Sequence, residues 1–396
     1  MSEFGNVVVV GASLAGLRAV TTLRNEGFSG SVTVIGDEPE MPYDRPPLSK
    51  EVVRGEQGPT EIRLAGTEEL DAIWKLGSPA VALDPAKKIV VTGDGAEVPY
   101  DGLILATGSG TRTLPTFDAR AANVHHVRKL ADAQRLREAL RPGTRLLIIG
   151  CGFVGIEVAS SARSRDVEVT VVGIDPPVAP AGPLASANAT RLLTEAGVSL
   201  HVGQTVAEVD STATGYRVTL SGGAVVDADH VVVAVGSVPN VAWLASSGID
   251  IGDGVECDEA LRVIGLDDVV AAGDIVGWPN ATFGGLRMRV EHWSNAVEQG
   301  VAAAKALLAR RDAAPFGSVP SFWSDHFGIR LQSVGLPRLA DRFEVVAGAA
   351  AEETFCAAAY AGDVLVGGVA YGMPRPLVSI RMKLVKGGVA LQPVES

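Results

Sequence analysis

A chain of 396 residues, 47% hydrophobic and 20% charged, is too long for one small domain and has the balance of a globular protein built from two or three. Its formal net charge of −12 repels phosphate and excludes a general nucleic-acid surface. The three cysteines, Cys151, Cys257 and Cys356, stand far apart with no Cys-x-x-Cys, which excludes a disulfide scaffold and gives no zinc pattern, so no metal is expected. No apolar run reaches the roughly 18 residues of a membrane span. Residue 1 leads almost directly into a strand-like stretch without room for a leader, and the expectation is a soluble, cytoplasmic protein.

The first element is an apolar run, Val7 to Val10, that breaks at a small-residue turn and continues as a helix, "VVVVGASLAGLRAV". Strand, glycine turn and helix in that order suit a dinucleotide. The first glycine permits the tight turn, the second lets the backbone approach a pyrophosphate, and the third allows close helix–strand packing. Free N–H groups and the dipole at the helix start then attract the phosphates. Here the pattern reads Gly11, Ser13, Gly16, with a hydroxyl at the second place that can join the phosphate shell. The next strand, in "SVTVIGDEPE", runs to Asp37 with Glu38 beside it, about 20 residues on, where an acid holds ribose hydroxyls. A solvated acidic turn is the competing reading.

The same signature returns in "RLLIIGCGFVGIEVASSARS", beginning at Arg145, where Gly150, Gly152 and Gly155 are complete. Leu146 to Ile149 form the strand, and Val154, Val158 and Ala162 recur at helical spacing. A further strand, "VEVTVVG", ends at Gly173. One glycine turn is a weak signal; two, about 140 residues apart, predict two nucleotide-binding domains. After Pro320 the stretches "FEVVAG", "FCAAAY" and "DVLVGGVAY" read as strands between polar turns, followed by a short helix that includes Pro376 to Val385.

Four further stretches carry a resemblance: "PYDRPPLSK" (Pro42 to Lys50), "YDGLILATGS" (Tyr100 to Ser109), "VVVAVGSVPN" (Val231 to Asn240) and "VVAAGDIV" (Val269 to Val276). With the paired turns and a C-terminal "SFWSDHFGIRLQSVG", the chain resembles the two-dinucleotide-domain flavoprotein reductases. More narrowly, it resembles the NADH-dependent ferredoxin, putidaredoxin and rubredoxin reductases that feed bacterial oxygenases. The resemblance covers nearly the whole chain. It implies an α/β fold of two Rossmann-like domains, for FAD and NAD, plus a small C-terminal α+β domain. Residues 1–112 and 242–320 would form the FAD domain, 113–241 the NAD domain and 321–396 the last, with 311–320 as linker.

The resemblance also implies the site. Gly11, Ser13, Leu14, Ala15 and Gly16 would wrap the FAD pyrophosphate, and Asp37 would hold the adenosine ribose. Lys50 would sit near the isoalloxazine, where a cation stabilises negative charge on reduction. Ala80 would meet adenine through its backbone, Thr107 and Gly108 would return the chain to the cofactor, and Arg128, Asp274 and Trp293 would complete the contacts. Taken alone, Lys50 and Arg128 read as surface charges, Asp274 as a helix cap and Trp293 as a packed aromatic. Gly150, Gly152 and Gly155 would bind the pyridine nucleotide, with Glu157 approaching its nicotinamide end; Lys50 and Glu157 are the expected electrostatic neighbours of the ring.

One departure stands out. NADH-selective relatives place an acid where this chain has Gly173; Asp175 follows two residues later in a proline-rich loop, and residues 174–188 contain no arginine for an NADPH phosphate. NADH is therefore expected, with NADPH possible. The stretch "DRPPLSKE" holds no cysteine, which closes a thiol route. The expected reaction passes electrons from NADH through FAD to an iron–sulfur ferredoxin that serves a monooxygenase or dioxygenase. An NADH-sensing flavoprotein and a small-molecule (quinone) reductase remain as alternatives. Trp323 would lie near the electron exit, the pairs Arg287/Arg289 and Arg310/Arg311 offer a basic face for an acidic ferredoxin, and a monomer or a homodimer is equally compatible.

Overall fold

The computed structural model describes residues 4–389. Its centre is two parallel five-stranded sheets with the same plan. In the first, Asn6–Val10 is the middle strand, flanked by Ser31–Ile35 and then Ile73–Lys75 on one side, and by Gly102–Leu105 and then Val269–Ala271 on the other. In the second, Arg145–Ile149 is the middle strand, with Glu168–Gly173 and Ser199–Val202 to one side and His230–Val233 and Val124–His125 to the other. The unbroken apolar runs have their reason here. Val7 to Val10 and Leu146 to Ile149 are buried, as strands covered on both faces must be.

Both sheets reverse strand order at the middle strand, so each has a crevice at that strand's carboxyl end, where open α/β sheets bind ligands. The two glycine turns sit in those crevices. Helix Leu14–Asn25 follows the first turn and helix Phe153–Arg163 the second. The late segment returns to the first sheet. Strand Val269–Ala271 pairs with Gly102–Leu105, and helix Trp293–Ala309 lies so close on Leu14–Asn25 that a Cβ on Gly300 would stand 2.5 Å from the Ala15 carbonyl oxygen. A short antiparallel pair, Ser109–Thr111 with Ser237–Pro239, joins the two halves.

After Pro320 the chain forms an antiparallel five-stranded sheet in the order Ser321–His326, Ile329–Gly335, Val364–Tyr371, Phe355–Ala361, Arg342–Gly348. Helix Pro374–Gly387 covers it through Leu377, Ile380 and Leu384. The first two strands form a tight hairpin. Phe327 and Gly328 have φ of +50° and +86°, the positive pair that a two-residue turn needs to match strand twist. The hairpin lies against helix Phe153–Arg163, where Phe327 N–H donates to Ser160 Oγ at 2.9 Å. Among the described residues, no helix is long and apolar enough to cross a membrane.

Candidate functional site

A cavity of about 480 Å³ lies between the two crevices and is walled by all three parts of the chain. Ser13, Leu14 and Ala15 open into it from the first turn, Gly152 and Phe153 from the second, and Phe322 and Trp323 from the C-terminal hairpin. The first turn is built for close approach. Gly11 has φ of +126°, and a Cβ there would stand 2.0 Å from the Ala106 carbonyl oxygen, so only glycine fits. Ser13 gives its helix no side-chain cap. The first-turn N–H groups are thus left for an anion, as a pyrophosphate requires.

Gly11 and Gly16 shape this turn from behind and do not line the cavity. Thr107 and Gly108 are clasped to Asn240 from the other half. Thr107 Oγ1 donates to the Asn240 carbonyl at 2.7 Å, Asn240 Nδ2 donates to the Thr107 carbonyl at 3.0 Å, and Asn240 N–H donates to the Gly108 carbonyl at 2.9 Å. Ala80 begins a strand beyond the cavity wall. Asp37 does not line the cavity; its side chain is 57% exposed and paired with Lys129 at 2.6 Å. Its neighbour Glu38 is the enclosed acid. It accepts from Tyr43 Oη at 2.5 Å and from Arg45 Nη2 at 2.6 Å. Arg45 also donates to the Arg128 carbonyl at 2.6 Å and to Ser13 Oγ at 3.3 Å. It ties the first turn to Arg128, a role that "PYDRPPLSK" did not reveal.

Arg128 and Asp274 form one unit. Asp274 Oδ2 accepts from Arg128 Nη2 at 2.9 Å and from Ser109 Oγ at 2.7 Å, while Arg128 Nε donates to the Ser109 carbonyl at 2.6 Å. Asp274 is therefore bound to side chains and is not a helix cap. Trp293 Nε1 donates to Asp44 Oδ1 at 2.8 Å, and its ring meets Trp323 edge-on at 5.9 Å. Phe322 lies 4.6 Å from Phe153 and 4.8 Å from His292. Burial pushes His292 down to about 4, so this aromatic wall is uncharged at neutral pH.

Lys50 and Glu157 meet in the cavity wall. Nζ stands 2.9 Å from Glu157 Oε2, and each residue is only 5% exposed. Lys50 also donates to the Pro46 carbonyl at 2.9 Å. Burying two charges costs solvation that is recovered only when the remaining polar atoms are paired. Here Ser49 Oγ donates to Oε2 at 2.5 Å and Ser324 Oγ to Oε1 at 2.6 Å.

In the second turn, Gly150 has φ of +116°, and a Cβ would stand 2.1 Å from the Ala234 carbonyl oxygen. A Cβ on Gly155 would meet the Gly150 carbonyl oxygen at 2.2 Å, whereas one on Gly152 would meet nothing within 4 Å. Gly152 thus leaves the open approach a pyrophosphate needs, and its helix again has no side-chain cap. The missing acid has a local cause. A Cβ on Gly173 would stand 2.4 Å from Cys151 Sγ and 3.0 Å from Cys151 Cβ. The loop beyond folds back onto the turn, with buried Val178 donating its N–H to the Cys151 carbonyl at 2.9 Å. Burial, then Asp175, pushes the Cys151 thiol up to about 11, which makes it a packing group and not a nucleophile.

One expectation is corrected. The arginines proposed as a basic face are largely answered by acids: Arg287 pairs with Glu256, Arg289 with Glu291 and, at 3.1 Å, with Asp253, and Arg311 with Asp267 at 3.6 Å. Arg310 lies over the Phe4 ring at 4.5 Å.

Comparison with known proteins accords with this geometry. Residues 5–300 match the model of the pyridine nucleotide-disulphide oxidoreductases, and residues 321–395 that of the reductase C-terminal domain. Rhodocoxin reductase of Rhodococcus erythropolis is 34% identical over 399 residues, covering 99% of this chain and 92% of that protein. The ferredoxin–NAD(+) reductase component of the p-cumate 2,3-dioxygenase system of Pseudomonas putida is 33% identical over 344 residues, covering 84% of this chain and 82% of its own. The reductase in a crystal structure of the covalent putidaredoxin reductase–putidaredoxin complex superposes with a TM-score of 0.91 at 28% identity, covering 98% of this chain and 94% of that one.

Proposed function

Because this chain belongs to the pyridine nucleotide-disulphide oxidoreductase family and carries a reductase C-terminal domain, we propose that it is an FAD-dependent NADH:ferredoxin reductase of an oxygenase system. The observation that carries the reading is a single cavity into which both uncapped glycine turns open, with the Lys50–Glu157 pair in its wall and no cysteine lining it. A dithiol relay has no place there. FAD, when bound, converts a two-electron delivery from NADH into single electrons for an iron–sulfur carrier.

The chain's own residues bind, orient and shield. The start of helix Leu14–Asn25, with Gly11, Ser13, Leu14, Ala15 and Gly16, would hold the FAD pyrophosphate, and Arg128 with Asp274 would fix the ribityl region. Asp37 and Ala80 would serve the adenosine end, with Thr107, Gly108 and Trp293 closing on the cofactor. Gly150, Gly152 and Gly155 would hold the pyrophosphate of NADH, preferred modestly over NADPH. Lys50 supplies a fixed positive charge where the reduced ring carries negative charge, and Glu157 fixes that ammonium. The aromatic wall of Phe153, Phe322, Trp293 and Trp323 excludes water and marks the face on which an iron–sulfur ferredoxin would dock. A cytoplasmic location suits this reading, because NADH is supplied there and three buried thiols persist reduced.

Purified protein should be yellow, should bleach with NADH in the absence of air, and should regain colour on adding a ferredoxin. A preparation that takes up no FAD on reconstitution overturns the reading.

A further inference from the structure

Glu157 is a carboxylate that all three parts of the chain reach. Ser49 and Lys50 come from the first, Glu157 itself stands on the helix of the second turn, and Ser324 comes from the C-terminal hairpin. The hydrogen bonds beyond Ser324 continue in a row. His326 Nε2 stands 2.9 Å from Ser324 Oγ, and His326 Nδ1 stands 2.7 Å from Tyr371 Oη. Ser324, His326 and Tyr371 are all 0% exposed.

Donor and acceptor roles in this row follow from elementary chemistry. An ionised carboxylate only accepts, so the single proton of the Ser324 hydroxyl is committed to Glu157. Ser324 Oγ must then accept from His326, which requires the proton on Nε2. Burial pushes His326 down to about 3, so the ring is neutral and Nδ1 is bare. Tyr371 Oη therefore donates to Nδ1. Every proton in the row points towards Glu157, and a neutral imidazole admits only one tautomer that allows this. The row ends at Tyr371 inside the core, against Phe355 at 5.9 Å, and so has no outlet through which a proton could leave. It holds the carboxylate and does not conduct.

We propose that His326 and Tyr371 are positioning residues through which the C-terminal domain orients Glu157, and thereby Lys50, with Ser324, its proton committed to Glu157, selecting the Nε2–H tautomer of the histidine and the tyrosine donating to the bare Nδ1. The hairpin is suited to the task. Its turn is anchored on Ser160, three residues along the same helix from Glu157, and Asp325 N–H adds a longer contact to Oε1 at 3.4 Å. The kinetic consequence rests on the reading of the cavity as a flavin site, whereas the tautomer does not.

The test uses the full-length FAD-loaded protein with nitrogen-15-labelled histidine. Two-dimensional NMR should show His326 as the Nε2–H tautomer, unchanged between pH 7 and 5; Tyr371→Phe should retain it, whereas Ser324→Ala should convert it to a mixture. Tyr371→Phe keeps the ring and hence the packing, and a dispersed folded spectrum of Ser324→Ala separates its loss of the single tautomer from unfolding. His326→Leu should slow flavin reduction by saturating NADH about tenfold with the half-saturating concentration unchanged, and His326→Gln, whose amide donates to Ser324, should recover most of the rate. An Nδ1–H tautomer in the unaltered protein, an ordinary titration of His326 near neutrality, or an unslowed leucine variant overturns the proposal. Failure to bind FAD would overturn the reductase reading instead, and the same spectra on the FAD-free chain would still decide the tautomer.

Discussion

The contact between Gly173 and Cys151 makes a sharp prediction about coenzyme binding. Replacing Gly173 by glutamate would restore the acid that holds an adenosine ribose, but its Cβ would lie 2.4 Å from Cys151 Sγ, 3.0 Å from Cβ and 3.1 Å from the backbone nitrogen. Carbon–carbon contact is comfortable only at about 3.5–4.0 Å, so the cysteine or the strand must move. Overpacking of this kind costs about 1–3 kcal/mol, and the lone variant should melt lower without binding NADH more tightly. Adding Cys151→Gly removes the two side-chain contacts and leaves only the tight approach to the nitrogen; Cys151→Ala would keep the 3.0 Å clash. In the double variant, hydrogen bonds from the ribose hydroxyls to a carboxylate are worth about 1.5–3 kcal/mol, so the half-saturating NADH concentration should fall about ten- to a hundredfold. NADPH should bind less well, because its phosphate meets the new charge. Anaerobic stopped-flow reduction with each nucleotide, beside a melting curve, reads both effects. If Gly173→Glu alone melts normally and binds NADH more tightly, the steric reasoning is wrong; if the double variant leaves NADH binding unchanged, the ribose is held elsewhere.

Other outcomes follow from the same geometry. Lys50→Met leaves the Glu157 carboxylate buried and unpaired, and should cost about 3–5 kcal/mol in urea unfolding; adding Glu157→Gln should return much of it, and additive losses would show that the two do not act as a pair. Acid should destabilise the fold early. Burial holds His125 and His326 at about 3, whereas an unfolded imidazole titrates near 6.5. The unfolded chain therefore binds more protons within that window, and stability, full above the unfolded value, is lost as pH falls. These two residues alone should remove about 3 kcal/mol between pH 6.5 and 5, and equal unfolding midpoints at both pH values would contradict this. Gly11→Ala places a methyl 2.0 Å from the Ala106 carbonyl oxygen at a φ of +126°, so the protein should emerge without flavin absorbance; a yellow variant would count against the turn. Cys151, with its thiol pushed up to about 11, should resist alkylation at neutral pH in the folded protein, and rapid labelling at that site would refute its inert role.

What could be read from the sequence alone was whatever obeys a short period or a local steric rule. The valine run before Gly11 and the apolar run before Gly150 follow from strands buried on both faces, and the glycine spacing follows from turns in which a Cβ would strike a carbonyl about 2 Å away. Three of the five strands of the C-terminal sheet, Arg342–Gly348, Phe355–Ala361 and Val364–Tyr371, and its closing helix were legible for the same reason, whereas the hairpin Ser321–His326 and Ile329–Gly335 was not. The tertiary structure decided everything that depends on residues far apart in the chain. Glu157 meets Ser49 across 108 residues and Ser324 across 167, and no periodicity encodes such a meeting. Asp37 and Glu38 are adjacent acids in sequence, yet one is exposed and paired with Lys129 and the other is enclosed by Tyr43 and Arg45. The arginines that read as a basic face are answered by Glu256, Glu291, Asp253 and Asp267. The loss of the acid at Gly173 was visible in the sequence, but its cause was not, because Cys151 comes to lie beside it only when two parallel strands align. Local sterics write turns and strands into the chain; the chemistry of a buried charge depends on which distant groups folding brings within hydrogen-bond reach of it.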